Sequence, residues 1–273
     1  MQKIYFGTMT KSGDTYKAVM EAFQAGYKYF DFAEVYGNQA EIGQAITDWF
    51  KNNPTLKRAD YFFQSKVWVT DIDNNNVDQA VMKILKDLHL EYIDSLLVHR
   101  PSMDLNNSIN AYKKLIAWKN KGIVKHVGIS NFEKEHIVLL WSESGVKPEM
   151  HQFEMNIFNQ RWDRVVFAQK HGIESQVYGA LKRHEQSSEV EQLAKKHNVS
   201  TNQIVMSWLK HHHLNPVLKS TNFEHMKENL ANVTIQLTDA ELAVIKNLNR
   251  YENSYSEGIE SSKFRDFYNQ IKN

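Results

Sequence analysis

Short apolar segments alternate with longer amphipathic segments along almost the whole chain. The short segments are dense in apolar and aromatic residues rather than strictly alternating, as expected for strands buried on both faces of a parallel sheet. Eight of them predict strands: 3–8 (KIYFGT), 28–33 (KYFDFA), 61–68 (YFFQSKVW), 92–99 (YIDSLLVH), 124–130 (VKHVGIS), 149–155 (EMHQFEM), 174–180 (ESQVYGA) and 215–220 (NPVLKS).

The longer segments carry apolar residues at helical spacing. In the first of them, Val19, Met20 and Phe23 share one face. Helices are predicted near 14–25, 39–52, 76–88, 107–121, 133–144, 160–171, 186–197, 201–212, 223–231 and 238–249. Eight β/α alternations with short connections predict a closed parallel (β/α)8 barrel (TIM barrel) of the α/β class. No low-complexity linker divides the chain, so we expect a single domain over 1–273, with 250–273 as a C-terminal tail.

Composition narrows the possible functions. Hydrophobic residues make up 42% and charged residues 24% of the chain, which is typical of a soluble globular domain. A net charge of +1 gives no reason to expect nucleic acid or an anionic membrane as a partner. The absence of cysteine excludes disulfides, thiol catalysis and thiolate metal sites. Since neither a signal-peptide pattern nor a bilayer-length apolar run is found, we expect a cytoplasmic protein. We also expect it to be a monomer and to act on a small molecule.

Four polar residues lie at or just beyond the ends of three successive predicted strands. Asp31 and Tyr36 belong to the second strand and the turn after it, Lys66 to the third strand, and His99 to the fourth. The carboxyl ends of parallel barrel strands meet at one face, where such barrels keep their chemistry. Each residue alone could be structural: a turn cap, a surface aromatic, a solvated charge or a strand-end imidazole. Their joint placement favours one reactive site.

The four residue types suit proton transfer to a carbonyl oxygen better than metal binding. A phenol has an ordinary pKa of about 10, and a nearby ammonium lowers that pKa by stabilising the phenolate. Lys66 can supply this charge to Tyr36, and Asp31 can keep Lys66 protonated and oriented. His99 can donate a hydrogen bond to the substrate oxygen. The hydride must come from a cofactor, because no side chain supplies one.

The local sequence around these residues strongly resembles the aldo-keto reductase family. The resemblance is carried by GYKYFDFAEVYGNQAEIGQAI, SKVW, LLVHRP, VKHVGISNF and LKSTNFEHMKENL, in this order over roughly residues 3–249. It implies a (β/α)8 barrel, NAD(P)H-dependent interconversion of carbonyl compounds and alcohols, and a catalytic tetrad with Tyr36 as general acid. The short loops are similar to those of prokaryotic members, and the usual N-terminal hairpin is expected to be missing.

The resemblance also implies a cofactor site, although no G-x-G-x-x-G dinucleotide motif is present. The cofactor is expected to lie extended across the barrel mouth. Ser130, Asn131 and Gln152 would bind the nicotinamide carboxamide, and Tyr178 would stack on the ring. Thr8 and Leu181 are also assigned to NADPH. The 2′-phosphate would be bound by Lys219, Ser220, Thr221 and Asn222, and the adenine by Glu228 and Asn229. His225 stands where many relatives have an arginine, so weaker NADPH binding and possible use of NADH are expected.

The substrate pocket departs from the family pattern at two positions. Met9 and Arg100 stand where relatives often carry tryptophans, and Trp68 is the clearest aromatic candidate for the pocket wall. Arg100 is either a partner for a substrate carboxylate or phosphate or an outward-facing charge. In such a family the tail, with Tyr255, Phe264, Phe267 and Tyr268, either contributes to specificity or packs on the barrel as a helix.

Two other functions compete with carbonyl reduction. One is a cofactor-binding regulatory protein of the same fold with little turnover, which the intact tetrad argues against. The other is a Schiff-base aldolase with Lys66 as nucleophile, which the match at the nicotinamide site disfavours. No metal site is expected, because the consecutive His211, His212 and His213 point in different directions near a helix end.

Overall fold

The computed structural model describes residues 2–10, 13–231 and 235–250. Eight parallel strands close into a barrel in which each strand pairs with its chain neighbours and β1 pairs with β8. The strands are β1 Tyr5–Gly7, β2 Tyr29–Asp31, β3 Phe62–Val67, β4 Ile93–Val98, β5 Val124–Ser130, β6 Met150–Glu154, β7 Glu174–Tyr178 and β8 Asn215–Leu218. The predicted α/β barrel is confirmed, and each strand lies within its predicted segment.

Helices follow the strands along the chain. Within the described ranges they are α1 Thr15–Ala25, α2 Gln39–Asn52, α3 Val69–Asp73, α4 Val77–Asp87, α5 Leu105–Asn120, α6 Lys134–Ser144, α7 Trp162–Lys170, α8 Ser188–His197, α9 Thr201–His211, α10 Phe223–Leu230 and α11 Asp239–Asn247. The short helix α3 was not predicted, because its β-branched and aspartate residues are weak helix formers. Only Val69 and Ile72 of this helix are buried. The other ten match the predicted segments.

Outward-facing strand residues explain why the strand segments are so rich in aromatic residues. Phe30 of β2 and Phe63 of β3 are fully buried, with ring centroids 5.6 Å apart. Phe23 of α1 packs on Phe30 at 4.5 Å and stacks on Trp49 of α2 at 5.1 Å. The helices therefore cover the outer face of the barrel, while the alternate strand positions point into its interior.

The amino-terminal end of the barrel is filled by aromatic rings around one ion pair. Tyr5 lies 5.3 Å from Tyr29 and 6.0 Å from Phe62, measured between ring centroids. The Lys3 ammonium lies 5.8 Å from the Tyr29 and Phe62 centroids and 2.5 Å from Glu174 Oε2. Tyr5 donates its hydroxyl to Glu174 Oε1 at 2.8 Å. These contacts close the end of the barrel opposite the predicted reactive groups.

No helix in the described part of the chain is long and apolar enough to cross a membrane. The aromatic tail residues Tyr255, Phe264, Phe267 and Tyr268 lie outside the described residues.

Candidate active site

A cavity of about 840 Å³ opens at the carboxyl ends of the strands. It brings together most of the residues that the sequence assigned to a reactive site: Thr8, Met9, Asp31, Tyr36, Trp68, His99, Arg100, Ser130, Asn131, Gln152, Tyr178, Leu181 and Lys219. Lys66 lies beneath its floor, bonded to Asp31. The cavity does not include the other predicted cofactor residues, Ser220, Thr221, Asn222, His225, Glu228 and Asn229.

A fully buried ion pair lies at the centre of the site. Asp31 is the last residue of β2, and Lys66 lies in β3, next to it in the barrel. Lys66 Nζ is 2.6 Å from Asp31 Oδ2 and donates to the Phe32 carbonyl oxygen at 2.9 Å. The ammonium also lies 5.5 Å from the centroid of the Tyr36 ring. Tyr36 belongs to the turn after β2. Burial lowers the pKa of Lys66, and the Asp31 carboxylate opposes this effect by stabilising the charged form.

His99 follows β4 and faces Tyr36 across the site. Its ring centroid lies 6.0 Å from that of Tyr36 and 4.9 Å from that of Trp68. Burial, the Lys66 charge and the Arg100 charge together hold the pKa of His99 well below its usual range. The imidazole is therefore neutral at pH 7 and carries one N–H that can be donated to an oxygen atom.

Three glutamines connect the buried pair to the rest of the barrel. Gln152 was predicted from the sequence, whereas Gln64 and Gln176 were not. Asp31 Oδ1 accepts from Gln64 Nε2 at 2.7 Å and from Gln152 Nε2 at 2.9 Å. Both amides also donate to Gln176 Oε1, at 2.7 and 3.0 Å. Gln176 Nε2 donates to Gln64 Oε1 at 3.1 Å and to Glu174 Oε1 at 3.2 Å. We call these side chains, with Asp31, the glutamine network.

The network continues to the amino-terminal end of the barrel. Burial alone would raise the pKa of Glu174, but the hydrogen bonds and charge of Lys3, followed by the Tyr5 hydroxyl, lower it. Gln64 and Gln176 had a detectable signal in the sequence. Each is a polar residue in an apolar strand, two positions before Lys66 or Tyr178, and strand residues two apart share a face.

The residues predicted at the nicotinamide form a connected group. Asn131 adopts a left-handed conformation (φ 65°), and its amide donates to Ser130 Oγ at 2.9 Å and to the His99 carbonyl at 3.0 Å. Tyr178 donates its hydroxyl to Asn131 Oδ1 at 2.7 Å. Gln152 uses its donor group on the glutamine network, so its Oε1 is left as the acceptor facing the cavity.

The predicted phosphate segment forms the turn between β8 and α10. Lys219 borders the cavity, and Asn222 caps α10 by accepting from the backbone N–H groups of Glu224 and His225 at 2.9 and 3.2 Å. Its neighbours Ser220 and Thr221 lie in the same turn. His225 is exposed in the first turn of the helix.

Further along α10 the two predicted adenine residues are already engaged with protein. Asn229 is only 6% exposed, on the buried side of the helix. Glu228 accepts from the Ser200 hydroxyl at 2.7 Å. Asn229 therefore offers only a small exposed surface to a cofactor.

The substrate-side residues differ in exposure. Met9 is 55% exposed at the rim, whereas Trp68 and Arg100 are half-buried. Arg100 Cζ lies 4.9 Å from the Trp68 ring centroid. Arg100 therefore borders the cavity, with its guanidinium over the Trp68 ring.

The three consecutive histidines, 211–213, differ in exposure and packing. Among the described residues, no group of three or more metal-ligating side chains is in position to hold an ion. His212 packs against Trp162 with centroids 4.5 Å apart, whereas His211 and His213 are exposed. Burial, followed by its histidine neighbours, lowers the pKa of His212 to about 4.

Glu34, which lies two residues before Tyr36, is a titratable group that the sequence analysis did not identify. Its Oε2 is buried and accepts no hydrogen bond. Burial, followed by the charge of the neighbouring Asp71, raises the pKa of Glu34 to about 7, and the charge of Lys83 opposes this effect. The carboxyl group is therefore more easily protonated in the folded than in the unfolded chain.

This shift makes stability depend on pH in a defined direction. A raised acid pKa means that stability is lost as pH rises from the ordinary value of 4.5 through about 7. Glu34→Gln is expected to raise Tm by about 2–4 °C near pH 8, equivalent to about 1 kcal/mol after solvent screening, and by less near pH 5. Calorimetric scans at both pH values check this, with the exposed Glu143→Gln as control. Equal gains at both values would contradict it.

A buried Asp–Lys pair, a tyrosine and a neutral histidine around one cavity, at the carboxyl ends of eight parallel strands, define a (β/α)8-barrel enzyme. The family model described as "Aldo/keto reductase family" matches residues 3–184 and 180–250. The chain belongs to this family, and it is an oxidoreductase of that kind.

Individual relatives agree with this assignment. The chain is 28% identical over 237 residues to the methylglyoxal reductase DkgA of Escherichia coli, covering 85% of this chain and 84% of the relative. The aldose reductase structure from Schistosoma japonicum superimposes with a TM-score of 0.88 at 28% identity, covering 97% of this chain and 93% of that one. The structure of a Bombyx mori aldo-keto reductase in complex with NADP gives a TM-score of 0.84 at 27% identity, covering 96% and 92%.

Proposed function

We propose that this enzyme reduces an aldehyde or ketone to the alcohol with NADPH, with Tyr36 as the general acid. The observation that carries the proposal is the buried Lys66–Asp31 pair below Tyr36, with neutral His99 on the same cavity. When bound, NADPH supplies the hydride to the carbonyl carbon. Tyr36 gives its proton to the oxygen as the alkoxide forms.

Each neighbour of Tyr36 has a part in this proton transfer. The Lys66 ammonium, 5.5 Å from the ring centroid, stabilises the phenolate that is left when the proton departs. Asp31 stabilises the charged form of Lys66, whose side chain is fully buried. His99 donates its single N–H to the substrate oxygen, because its lowered pKa keeps it neutral. Positioned donors of this kind contribute roughly 10²–10⁴ in rate.

The cavity residues fit the nicotinamide carboxamide. A carboxamide needs an acceptor for its NH₂ group and a donor for its oxygen. Gln152 Oε1 supplies the acceptor, and the Ser130 hydroxyl, which already accepts from Asn131, keeps its hydrogen for donation. The Tyr178 ring borders the same cavity and offers a face for stacking. The NADP complex of the Bombyx mori relative supports this choice of cofactor.

The other end of the cofactor would meet the β8–α10 turn. Lys219 provides a charge, Ser220 and Thr221 provide hydroxyls, and the start of α10 provides its N-terminal dipole for the 2′-phosphate. Thr8 and Leu181, which also border the cavity, would line the path between the two ends.

His225 is expected to make NADPH binding weaker than an arginine at this position would. It is exposed in the first turn of α10, and an imidazole lacks the guanidinium fork that binds phosphate oxygens in pairs. His225→Arg is expected to lower the Kd of NADPH about tenfold, through one charge-assisted hydrogen bond to the phosphate, and to change the Kd of NADH much less. Fluorescence titration with both cofactors checks this, and His225→Gln is the uncharged control. Unchanged Kd values for both cofactors would contradict the placement.

The direct test of the proposed function is a panel of aldehydes and ketones, run with NADPH and with NADH. Methylglyoxal belongs in the panel, because the Escherichia coli relative is named for its reduction. We expect cofactor oxidation that depends on the carbonyl compound and is faster with NADPH. Tight NADPH binding without turnover on any member would favour the regulatory alternative. Borohydride trapping of a substrate on Lys66 would favour the aldolase, although Lys66 is fully buried and ion-paired.

A further inference from the structure

We propose that Arg100 forms an anion-binding subsite, so that the preferred substrates are small carbonyl compounds that carry a carboxylate or phosphate group. The subsite lies next to the reactive groups, because Arg100 directly follows His99 at the end of β4. Its guanidinium stacks on Trp68, and the Trp68 ring in turn lies 4.9 Å from that of His99. A single small molecule can therefore contact both His99 and Arg100 within one cavity.

The charge of Arg100 is only partly compensated by protein. Its side chain is half-buried, and Nε is shielded from solvent without a hydrogen-bond partner. Burial lowers the pKa of Arg100, and the charge of Asp73 opposes this effect at a distance. Asp73 accepts instead from Ser102 Oγ at 2.5 Å and from Asn107 Nδ2 at 3.4 Å. A half-buried guanidinium is unfavourable without a partner, and a bound anion would supply one.

The other charges of the cavity also favour an anion. Among the described lining residues, Asp31 is the one acidic side chain, and its oxygens are occupied by Lys66, Gln64 and Gln152. Lys219 lies at the cofactor-phosphate end. Within this lining an anionic substrate would therefore meet no uncompensated negative charge; Asp73, whose charge acts on Arg100 from a distance, is not among the lining residues.

The planar guanidinium is suited to this task. Its fork of N–H groups matches the oxygens of a carboxylate or phosphate and can bind them in pairs. Stacking on Trp68 restricts the side chain, so less conformational entropy is lost when the anion binds. Trp68 thus acts as a platform that holds the fork beside the site of the carbonyl group.

The proposal rests on the proposed carbonyl reduction for its substrates, and paired substrates test it. We compare kcat/KM for succinic semialdehyde against butanal, and for glyceraldehyde 3-phosphate against glyceraldehyde. The first pair tests a carboxylate and the second a phosphate. In Arg100→Met, which keeps an unbranched stem over Trp68, we expect the anionic-to-neutral ratio to fall about 10- to 100-fold in at least one pair, mainly through KM.

Two control variants separate charge from geometry. Arg100→Lys keeps the charge without the fork and should give an intermediate ratio. Lys113→Met removes an exposed charge on α5 and should leave the ratio unchanged. An equal loss for anionic and neutral substrates in Arg100→Met would show that Arg100 only packs on Trp68 and would overturn the proposal.

A measurement without turnover distinguishes this proposal from the proposed function. Succinate and inorganic phosphate are each titrated into the wild type and Arg100→Met by calorimetry, with and without NADP⁺. Weaker binding of either anion in the variant supports the subsite even if no carbonyl compound is reduced. Identical binding of both anions in the two proteins overturns it, whatever the substrate panel shows.

Discussion

Replacing Tyr36 with phenylalanine is expected to lower kcat by about 10²–10⁴-fold while leaving the Kd of NADPH nearly unchanged. The variant keeps the ring that packs beside His99 and above Lys66, and removes only the hydroxyl group whose proton the alkoxide needs. Steady-state NADPH oxidation gives the rate, and fluorescence titration gives the Kd. Tyr16→Phe is the matched control, because Tyr16 is an exposed phenol on α1 that bonds Asp48, and neither residue lines the cavity.

The comparison of the two tyrosines makes the result decisive. If Tyr36→Phe turns over as fast as Tyr16→Phe, another group delivers the proton, and the proposed role of Tyr36 is wrong. A large loss of NADPH affinity together with the rate would instead indicate that the turn after β2 had been disturbed.

Breaking the buried ion pair is expected to have the largest effect on stability. Asp31→Asn leaves the fully buried Lys66 ammonium without a counter-ion, which costs about 3–5 kcal/mol. For a protein of this size that corresponds to a fall in Tm of roughly 10 °C or more. Adding Lys66→Met removes the stranded charge, so the double variant should recover much of the loss and remain inactive. Calorimetry and NADPH oxidation measure the two outcomes.

An exposed pair provides the control for this cycle. Lys83 and Asp87 form an ion pair on the surface of α4, where such pairs contribute at most about 1 kcal/mol. Asp87→Asn should therefore change Tm very little. If the losses of Asp31→Asn and Lys66→Met simply add in the double variant, the two residues are not coupled as the structure indicates.

The barrel could be predicted from the sequence because its outer and inner layers leave different patterns. Phe30 and Phe63 supply the apolar density of two strands by facing the helices. The helices were predictable from apolar residues at helical spacing, except α3, where only Val69 and Ile72 face inward. Five residues give too few turns for a periodic pattern to show.

The residues of the site could be predicted where they lie at strand ends. Contacts across the barrel interior could not be predicted. Asp31 and Lys66 belong to adjacent strands, so their pairing follows from barrel order alone. The contacts of Gln64 with Gln176 depend on strands on opposite sides of the barrel, which no local pattern records. The position of Asn229 on the buried side of α10 likewise depends on how that helix packs.

The glutamine network has a consequence for how the barrel assembles. Gln64 comes from the first half of the chain, and Gln152 and Gln176 come from the second half. Asp31 Oδ1 is fully bonded only when Gln64 and Gln152 both reach it, and Gln176 accepts from both of these amides. A strand that slipped by one residue would turn its amide outward into the aromatic layer, where it would lack a partner. The polar interior therefore discriminates against misaligned closure, and a folding chain completes the surroundings of its reactive carboxylate only when the two halves join in the correct register.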